Sequence, residues 1–496
     1  MRMTCQRPIL FIFVLFNILI LSPQVNAFDI ERLEKIEKKL EGSKRDYYMA
    51  KELMRQDAYF AAIPYVAEFI LSRSAWPNDF EKVLESLVLK TGPHSLAGLP
   101  RESLSSKESP SLSFILGHDL FNKKQYKASH EILSMIPEGH RFKSEALFIQ
   151  GSSLNIIEEY EPAKVKYKAC IELTSSLASK AKHNKLERYY QILNEQCQIH
   201  IARIMYKKKN FKQALKQYEK IEKNSYLWPY LLLEKAWAHY YLEEPNRTLG
   251  LLVTYRSPLL SSYFLPESEV LIALAYHKLC LWDDSLEVID QYYNVYKERS
   301  DELKKIIIPH KSSDTYFLKM MLAPIKKIEG YNPFIRNLLT QIRKRVKYSV
   351  DLVNFKKSRE ELNKWLSIKK HTNLTKKMTR QVNHQVGWRT KQLNHYVKKQ
   401  IFTFINEIHR FSYEMFNIRL EALSSKRNEV YKSKLSDGST KRTRGSVKNI
   451  TRSSDEHFYT FTGEFWADEL GDYAFGLKSQ CQRKETNAFS YQGGNK

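Results

Sequence analysis

The chain has 496 residues, 43% apolar and 27% charged, with 80 Lys and Arg against 55 Asp and Glu and a net charge of +25. That length and apolar share argue against a wholly disordered chain and leave room for several packed modules. Five cysteines are too few for a disulfide-framed scaffold, and no segment beyond the N-terminus reaches 18 consecutive apolar residues, which predicts no transmembrane helix in the mature chain.

Residues 1–27 read as a secretory signal. Arg2 and Arg7 supply positive charge, Ile9 to Leu21 form a 13-residue apolar run broken only by Asn17, and Val25-Asn26-Ala27 is a small-residue cleavage site. The expectation is export to a periplasm with cleavage near Ala27. An uncleaved anchor is the alternative, although 13 residues are short for a span. Cys5 precedes the apolar run and so cannot be a lipoprotein acylation site following it.

Residues 28–110 read as an N-terminal helical region with a degenerate repeat, in which Ala50, Leu53, Tyr59, Ala62 and Phe69 stand at the offsets that recur downstream. Across 111–300 a small residue returns at Gly117, Gly151, Ala202, Ala236 and Ala273, separated by 34, 51, 34 and 37 residues. Most of these are followed by an aromatic at +9, a small residue at +12 and an apolar ladder. In the third unit Ala202 and Met205 share a face of the first helix, Lys208 to Asn210 form a turn, and Phe211, Ala214, Tyr218 and Ile221 line the second helix. A close helix crossing needs a small residue facing a larger filler. A period near 34 marks stacked helix–turn–helix units. Pro137, Pro229 and Pro258 fall between units, where proline ends helices. Thr248 and Ser285 depart from the usual alanine, and Pro245 from the usual aromatic. The 51-residue step predicts longer helices around residues 171–200.

On these residues the segment resembles the tetratricopeptide repeat family, with five units across about 110–297. The resemblance implies an all-α superhelix whose first helices line a groove at one and four residues past the small position. Transferred register by register, that gives Asn155, Arg203, Tyr206, Trp237, Tyr240 and His277, with Lys207, Tyr241 and Lys278 adjacent. An aromatic and basic lining suits acidic or extended peptides. Packing between units is the competing role, above all for Trp237.

Cys170 ends one unit and Cys197 lies in the helix before the next, so a clasp between them is conceivable; buried thiols filling helix contacts are the simpler expectation. No CxxC pair occurs, and no cysteine has a histidine at ligand spacing. His371, His384, His395 and His409 are 13, 11 and 14 residues apart, so the row predicts no metal site.

Residues 301–450 hold 34 Lys and Arg against 12 Asp and Glu, leaving only about +3 for the rest. For an exported chain that points to acidic proteins, anionic lipids, or cell-wall and lipopolysaccharide polymers, and away from nucleic acid. Residues 301–434 read as a basic long-helix hairpin. One helix runs from Ile335 to about Ile368 with Leu338, Ile342, Val346, Val350 and Val353 as its seam; Lys369 to Thr375 break it. A second helix of about 40 residues carries a near-heptad seam from Val382 through Val386, Leu393, Val397, Phe404, Ile408, Phe411, Met415 and Ile418 to Ala422. The first helix is the expected cover for that seam, with a lipid-facing amphipathic stripe as the alternative.

Residues 435–455 read as a flexible linker rich in Ser, Thr, Gly, Lys and Arg. Residues 456–496 form an acidic-aromatic docking tail built on Phe465, Trp466, Leu470 and Tyr473. Trp466, Leu470, Tyr473 and Leu477 would share one face of a helix that forms when docked, folded back on the basic hairpin as an acidic clamp. The string from Glu464 to Tyr473, with Leu477 and Cys481 after it, resembles the C-terminal end of periplasmic repeat proteins of deltaproteobacteria, some linked to adventurous gliding motility. That resemblance implies an adaptor in an envelope-spanning machine.

No GxSxG, HExxH, phosphate-binding loop or dinucleotide fingerprint occurs. The expectation is therefore a non-enzymatic exported scaffold, without cofactor, that binds protein partners through a repeat groove. A cell-wall polymer or lipopolysaccharide binder acting through the basic segment is the alternative.

Overall fold

The computed structural model describes residues 28–105, 109–261, 263, 265–323, 331–369, 371–432 and 442–481; the signal segment lies outside them. Among the described residues the chain is all-α and contains no strand. The helices are α1 (Ile30–Lys39), α2 (Gly42–Arg55), α3 (Tyr59–Leu71), α4 (Phe80–Thr91), α5 (Arg101–Leu104), α6 (Pro110–Asn122), α7 (Tyr126–Ser134), α8 (Lys143–Ile156), α9 (Tyr160–Ser179) and α10 (Asn184–Lys207). There follow α11 (Phe211–Tyr218), α12 (Trp228–Tyr241), α13 (Pro245–Val253), α14 (Pro266–Lys278), α15 (Trp282–Tyr292), α16 (Glu298–Ile307), α17 (Tyr316–Leu322), α18 (Pro333–Lys344), α19 (Val346–Leu366) and α20 (Asn373–Lys432). None of them is long and apolar enough to cross a membrane.

Six helix pairs share one local design: α2–α3, α6–α7, α8–α9, α10–α11, α12–α13 and α14–α15. Seven residues past each small position the backbone turns left-handed, at Asp57, Lys124, Glu158, Lys209, Glu243 and Cys280, with φ between 56° and 67°. The next amide reaches back to the carbonyl five residues earlier: Ala58 to Leu53, Gln125 to Leu120, Glu159 to Leu154, Asn210 to Met205, Glu244 to His239, and Leu281 to Tyr276. The left-handed residue also bonds three residues back, as Lys209 does to Tyr206 at 2.9 Å. This is the Schellman arrangement, which satisfies the last carbonyls of a helix and usually takes glycine. Here it is made six times without glycine. The second helix then starts at the expected +9 residue, Tyr59, Tyr126, Tyr160, Phe211, Pro245 or Trp282.

The crossings explain the small residues. A β-carbon on Gly151 would sit 2.7 Å from the Tyr167 ring, and one on Gly117 would overlap Leu133. The filler at +16 is buried in every unit: Val66, Leu133, Tyr167, Tyr218, Leu252 and Ile289. The departures at +12 have a physical reason. The Ser129 hydroxyl donates to the Gly117 carbonyl at 2.7 Å, Thr248 to Ala236 at 3.3 Å and Ser285 to Ala273 at 3.1 Å. A buried hydroxyl that finds a carbonyl in the facing helix costs little. The longer step is met by α9 and α10, of 20 and 24 residues. Cys170 and Cys197 join these two helices as a disulfide with both residues fully buried, so the expectation of separate thiols is corrected.

The basic segment differs from its expected outline. Its first part is two helices, α18 and α19, because Arg345 is extended (φ −69°, ψ 128°). Past that break the seam rotates outward: Leu338 and Ile342 are buried, whereas Val346, Val350 and Val353 are about half exposed and Tyr348, Phe355 and Trp365 face inward. The last helix has 60 residues, about 90 Å if straight. Its heptad seam is buried at every expected position except Val386, which is partly buried. Its cover is wider than one hairpin partner. Leu374, Met378 and Val382 join the core of the N-terminal helices, and Leu393 through Ile418 join the core of α12–α19.

Candidate partner-binding surface

Units three and four bring six of the nine expected groove residues into one neighbourhood, and Lys278 of the fifth unit reaches it. Phe211 stacks on Tyr241 at 5.0 Å between ring centres, and Tyr206 meets both rings edge-on at 5.2 and 6.2 Å. Trp237 continues the cluster at 5.8 Å from Tyr241 and 5.7 Å from Tyr240. Tyr241 is 50% exposed, while Tyr206, Trp237 and Tyr240 are half-buried. The result is a continuous aromatic face, positioned because +1, +4 and +5 of a first helix lie on one side.

The charges around it are largely satisfied within the chain. Arg203 holds the Glu234 carboxylate with Nε at 3.0 Å and Nη2 at 2.6 Å, and Tyr218 donates to the same carboxylate at 2.7 Å. Trp237 Nε1 donates to Glu267 at 2.9 Å. In both cases a +1 residue bonds an acid on the first helix of the next unit, so these two residues tie neighbours together as well as lining a face. Lys278 bonds Glu243 at 2.6 Å and the Tyr240 carbonyl at 2.8 Å, with its ammonium 4.1 Å from the Tyr240 ring centre. Lys207 is exposed, 5.8 Å from the Tyr160 ring centre. The lining is thus aromatic with paired charges, not openly basic as the sequence suggested.

The other two residues lie apart. Asn155 is buried at 8% exposure, away from solvent. His277 packs edge-on to Trp282 at 4.8 Å and faces Glu421 of α20 at 3.8 Å; burial pushes its pKa down. At this end α20 itself lies against α14 and α15, and Trp282 Nε1 bonds Glu429 at 2.9 Å. The fifth unit is therefore covered in cis, and the open stretch is the third and fourth.

The docking tail is not helical. Residues 467–471 form a turn and 472–481 have no regular secondary structure. Gly471 has φ +87°, and a β-carbon there would come 2.7 Å from Trp228, so the close approach and the backbone both require glycine and end any helix. Leu470 and Leu477 are buried, Phe465 and Tyr473 half-buried, and Trp466 is 58% exposed. Nor does the tail clamp the basic hairpin. It crosses α12–α14, where Leu470 and Leu477 find an apolar seat, Asp472 pairs with Lys223 at 2.5 Å and Glu456 with Arg247 at 2.7 Å. Part of the linker follows the same route: Arg247 donates to the Thr451 carbonyl at 2.7 Å and Asn246 to that of Asn449 at 3.1 Å. Cys481 ends the path in a disulfide with Cys280.

Sequence reasoning did not select Glu234, Asn246 or Gly250. Gly250 carried a signal, an isolated glycine inside a helical pattern, which marks a close backbone approach. Glu234 and Asn246 had none, because their partners lie 31 and 231 residues away. Compared with protein-family models and with curated proteins, the chain matches none of them.

Proposed function

We propose that the chain is a non-enzymatic adaptor that binds an extended segment of a protein partner on the aromatic face of α10–α13, the third and fourth of the five downstream units. The reading takes the six pairs as tetratricopeptide-like units in a superhelix, with residues 1–27 as a cleaved signal that places it in a bacterial periplasm. The observation that carries it is the cluster of Tyr206, Trp237, Tyr240 and Tyr241, which leaves Tyr241 half exposed although its neighbours are packed. Rigid aromatic anchors beside satisfied charges suit an extended peptide at low ordering cost. A link to gliding motility or envelope assembly rests on the tail resemblance.

One observation favours a second reading, an anionic envelope polymer. Around the α19–α20 connection Lys356, Lys357, Arg359, Lys369, Lys376 and Arg380 are all exposed. The two readings separate by affinity capture from envelope extract with wild type and the Tyr206→Ala/Tyr240→Ala/Tyr241→Ala variant, at low and high salt. Loss of a discrete protein with the triple variant supports the adaptor. Recovery of glycan or lipid alone, lost steeply with salt and unaffected by the variant, supports the polymer binder and sinks the first reading.

A further inference from the structure

We infer that the face of α12–α14 that seats the tail is a second peptide-binding groove, occupied in cis by residues 470–481 and kept closed by the Cys280–Cys481 disulfide. It stands apart from the aromatic face. On α12 the tail side is formed by Trp228, Leu232, Lys235 and His239, whereas Trp237, Tyr240 and Tyr241 point from the other side of the helix.

The tail is held as a groove would hold a ligand, by its main chain. Asn246 Oδ1 accepts from the Leu477 amide at 3.0 Å while its Nδ2 donates to the Leu477 carbonyl at 3.0 Å. The Phe475 amide donates to the Asn246 carbonyl at 2.9 Å and the Gln480 amide to that of Leu279 at 2.8 Å. Such contacts read backbone and supply affinity; two seats, for Leu470 and Leu477, supply selectivity. Gly250 makes the approach possible, since any β-carbon there would overlap the Tyr473 carbonyl.

The two disulfides differ in access. Cys170 and Cys197 are fully buried, but Cys481 is exposed and Cys280 half-buried. A dithiol reductant can therefore attack Sγ of Cys481. The S–S bond breaks, Cys280 leaves as a thiolate and takes up a proton, and the reductant's second thiol resolves the mixed disulfide to release Cys481 as a thiol. The reductant leaves as a disulfide, so two electrons and two protons balance. Without the bond the tail keeps only its non-covalent contacts. The groove then takes an extended partner segment of the tail's chemistry: acidic residues, a leucine followed by glycine, and a second leucine seven residues after the first.

The test uses the full chain and a fluorescent peptide of residues 464–480 as probe. The Leu470→Asp/Leu477→Asp/Cys481→Ser variant ejects its own tail. It should bind the probe at least tenfold tighter than oxidised wild type, and adding Gly250→Ala should abolish that binding while favouring the α13 helix itself. Equal or absent binding in the ejected variant overturns the groove. In parallel, hydrogen exchange of wild type with and without dithiothreitol reads the latch. The Phe475, Leu477 and Gln480 amides should exchange at least tenfold faster once reduced, with the α9–α10 clasp unchanged. Unaltered exchange in the tail overturns the latch.

Discussion

The two ends of the long helix α20 are held by different physics. Toward its C-terminus the helix is held by apolar burial: Leu393, Val397, Ile401, Ile405, Ile408 and Met415 are essentially inaccessible and share one core with α12–α19. Toward its N-terminus the attachment also depends on buried polar groups. Arg389, 5% exposed, places its guanidinium 4.5 Å from the Phe60 ring centre and donates to Ser95 at 2.9 Å. Glu361 of the neighbouring α19 accepts from the Phe60 and Ala61 amides at 2.9 and 2.8 Å, capping the start of α3. An apolar seam tolerates changes of pH and depends on shape. A buried carboxyl group tolerates neither loss of its donors nor loss of its proton, so the N-terminal attachment is the one that solution conditions can tune.

The largest effect should come from breaking the apolar end. Ile408→Asp places a charge at a fully buried position whose carbonyl accepts from Tyr292. It should cost more than about 4 kcal/mol and abolish the cooperative thermal transition. Retention of the wild-type Tm would show that α20 does not need this core.

The polar end should show itself in pH. Burial raises the Glu361 carboxyl from 4.5 to about 7, over the opposing pull of the two amides. The folded state therefore binds this proton more tightly than the unfolded one. Its contribution to stability is fully present below about pH 4.5 and declines as pH rises toward 7, by about 3 kcal/mol in all. Glu361→Gln removes this dependence. Measured as the difference between wild type and variant in chemical denaturation, the wild type should lose ground steadily between pH 5 and 7. A pH-independent difference would mean that Glu361 titrates alike in both states.

Smaller changes test the shared design of the units. Ser129→Ala removes the hydroxyl that bonds the Gly117 carbonyl and should cost about 1 kcal/mol, whereas the same change at an exposed serine should cost nothing measurable. Lys209→Gly relieves a left-handed lysine with φ 58° and should stabilise by about 0.5–1 kcal/mol, read as a rise in urea midpoint. A loss there would show that the lysine side chain contributes more than its backbone costs.

The helical units were legible because their signal is local. Gly117, Ser129 and Leu133 lie within 16 residues, and a close crossing constrains all three together. The heptad seam of α20 was legible for the same reason; α19, just before it in the chain, supplies part of its cover, but the rest comes from α3, α14, α15 and α17, which no local spacing marks. The Schellman turns were hidden because Asp57, Lys124, Glu158, Lys209, Glu243 and Cys280 replace the glycine that would announce them. The outward turn of Val346, Val350 and Val353 depends on one extended residue, Arg345, that no periodicity marks. At the candidate surface the aromatic residues followed from register, but the pairing of Arg203 with Glu234 and Lys278 with Glu243 did not. Ion pairs between helices leave no trace in the spacing along one helix.

The most direct measurement is site-specific photo-crosslinking in the native envelope. A photoreactive residue is placed at Tyr241, with Lys168 of α9 and Lys357 of α19 as comparison positions. An adaptor working through its aromatic face should give a discrete protein adduct from position 241 and none from 168. Adducts to glycan or lipid from 357, with none from 241, would contradict the account and move the binding activity to the basic segment.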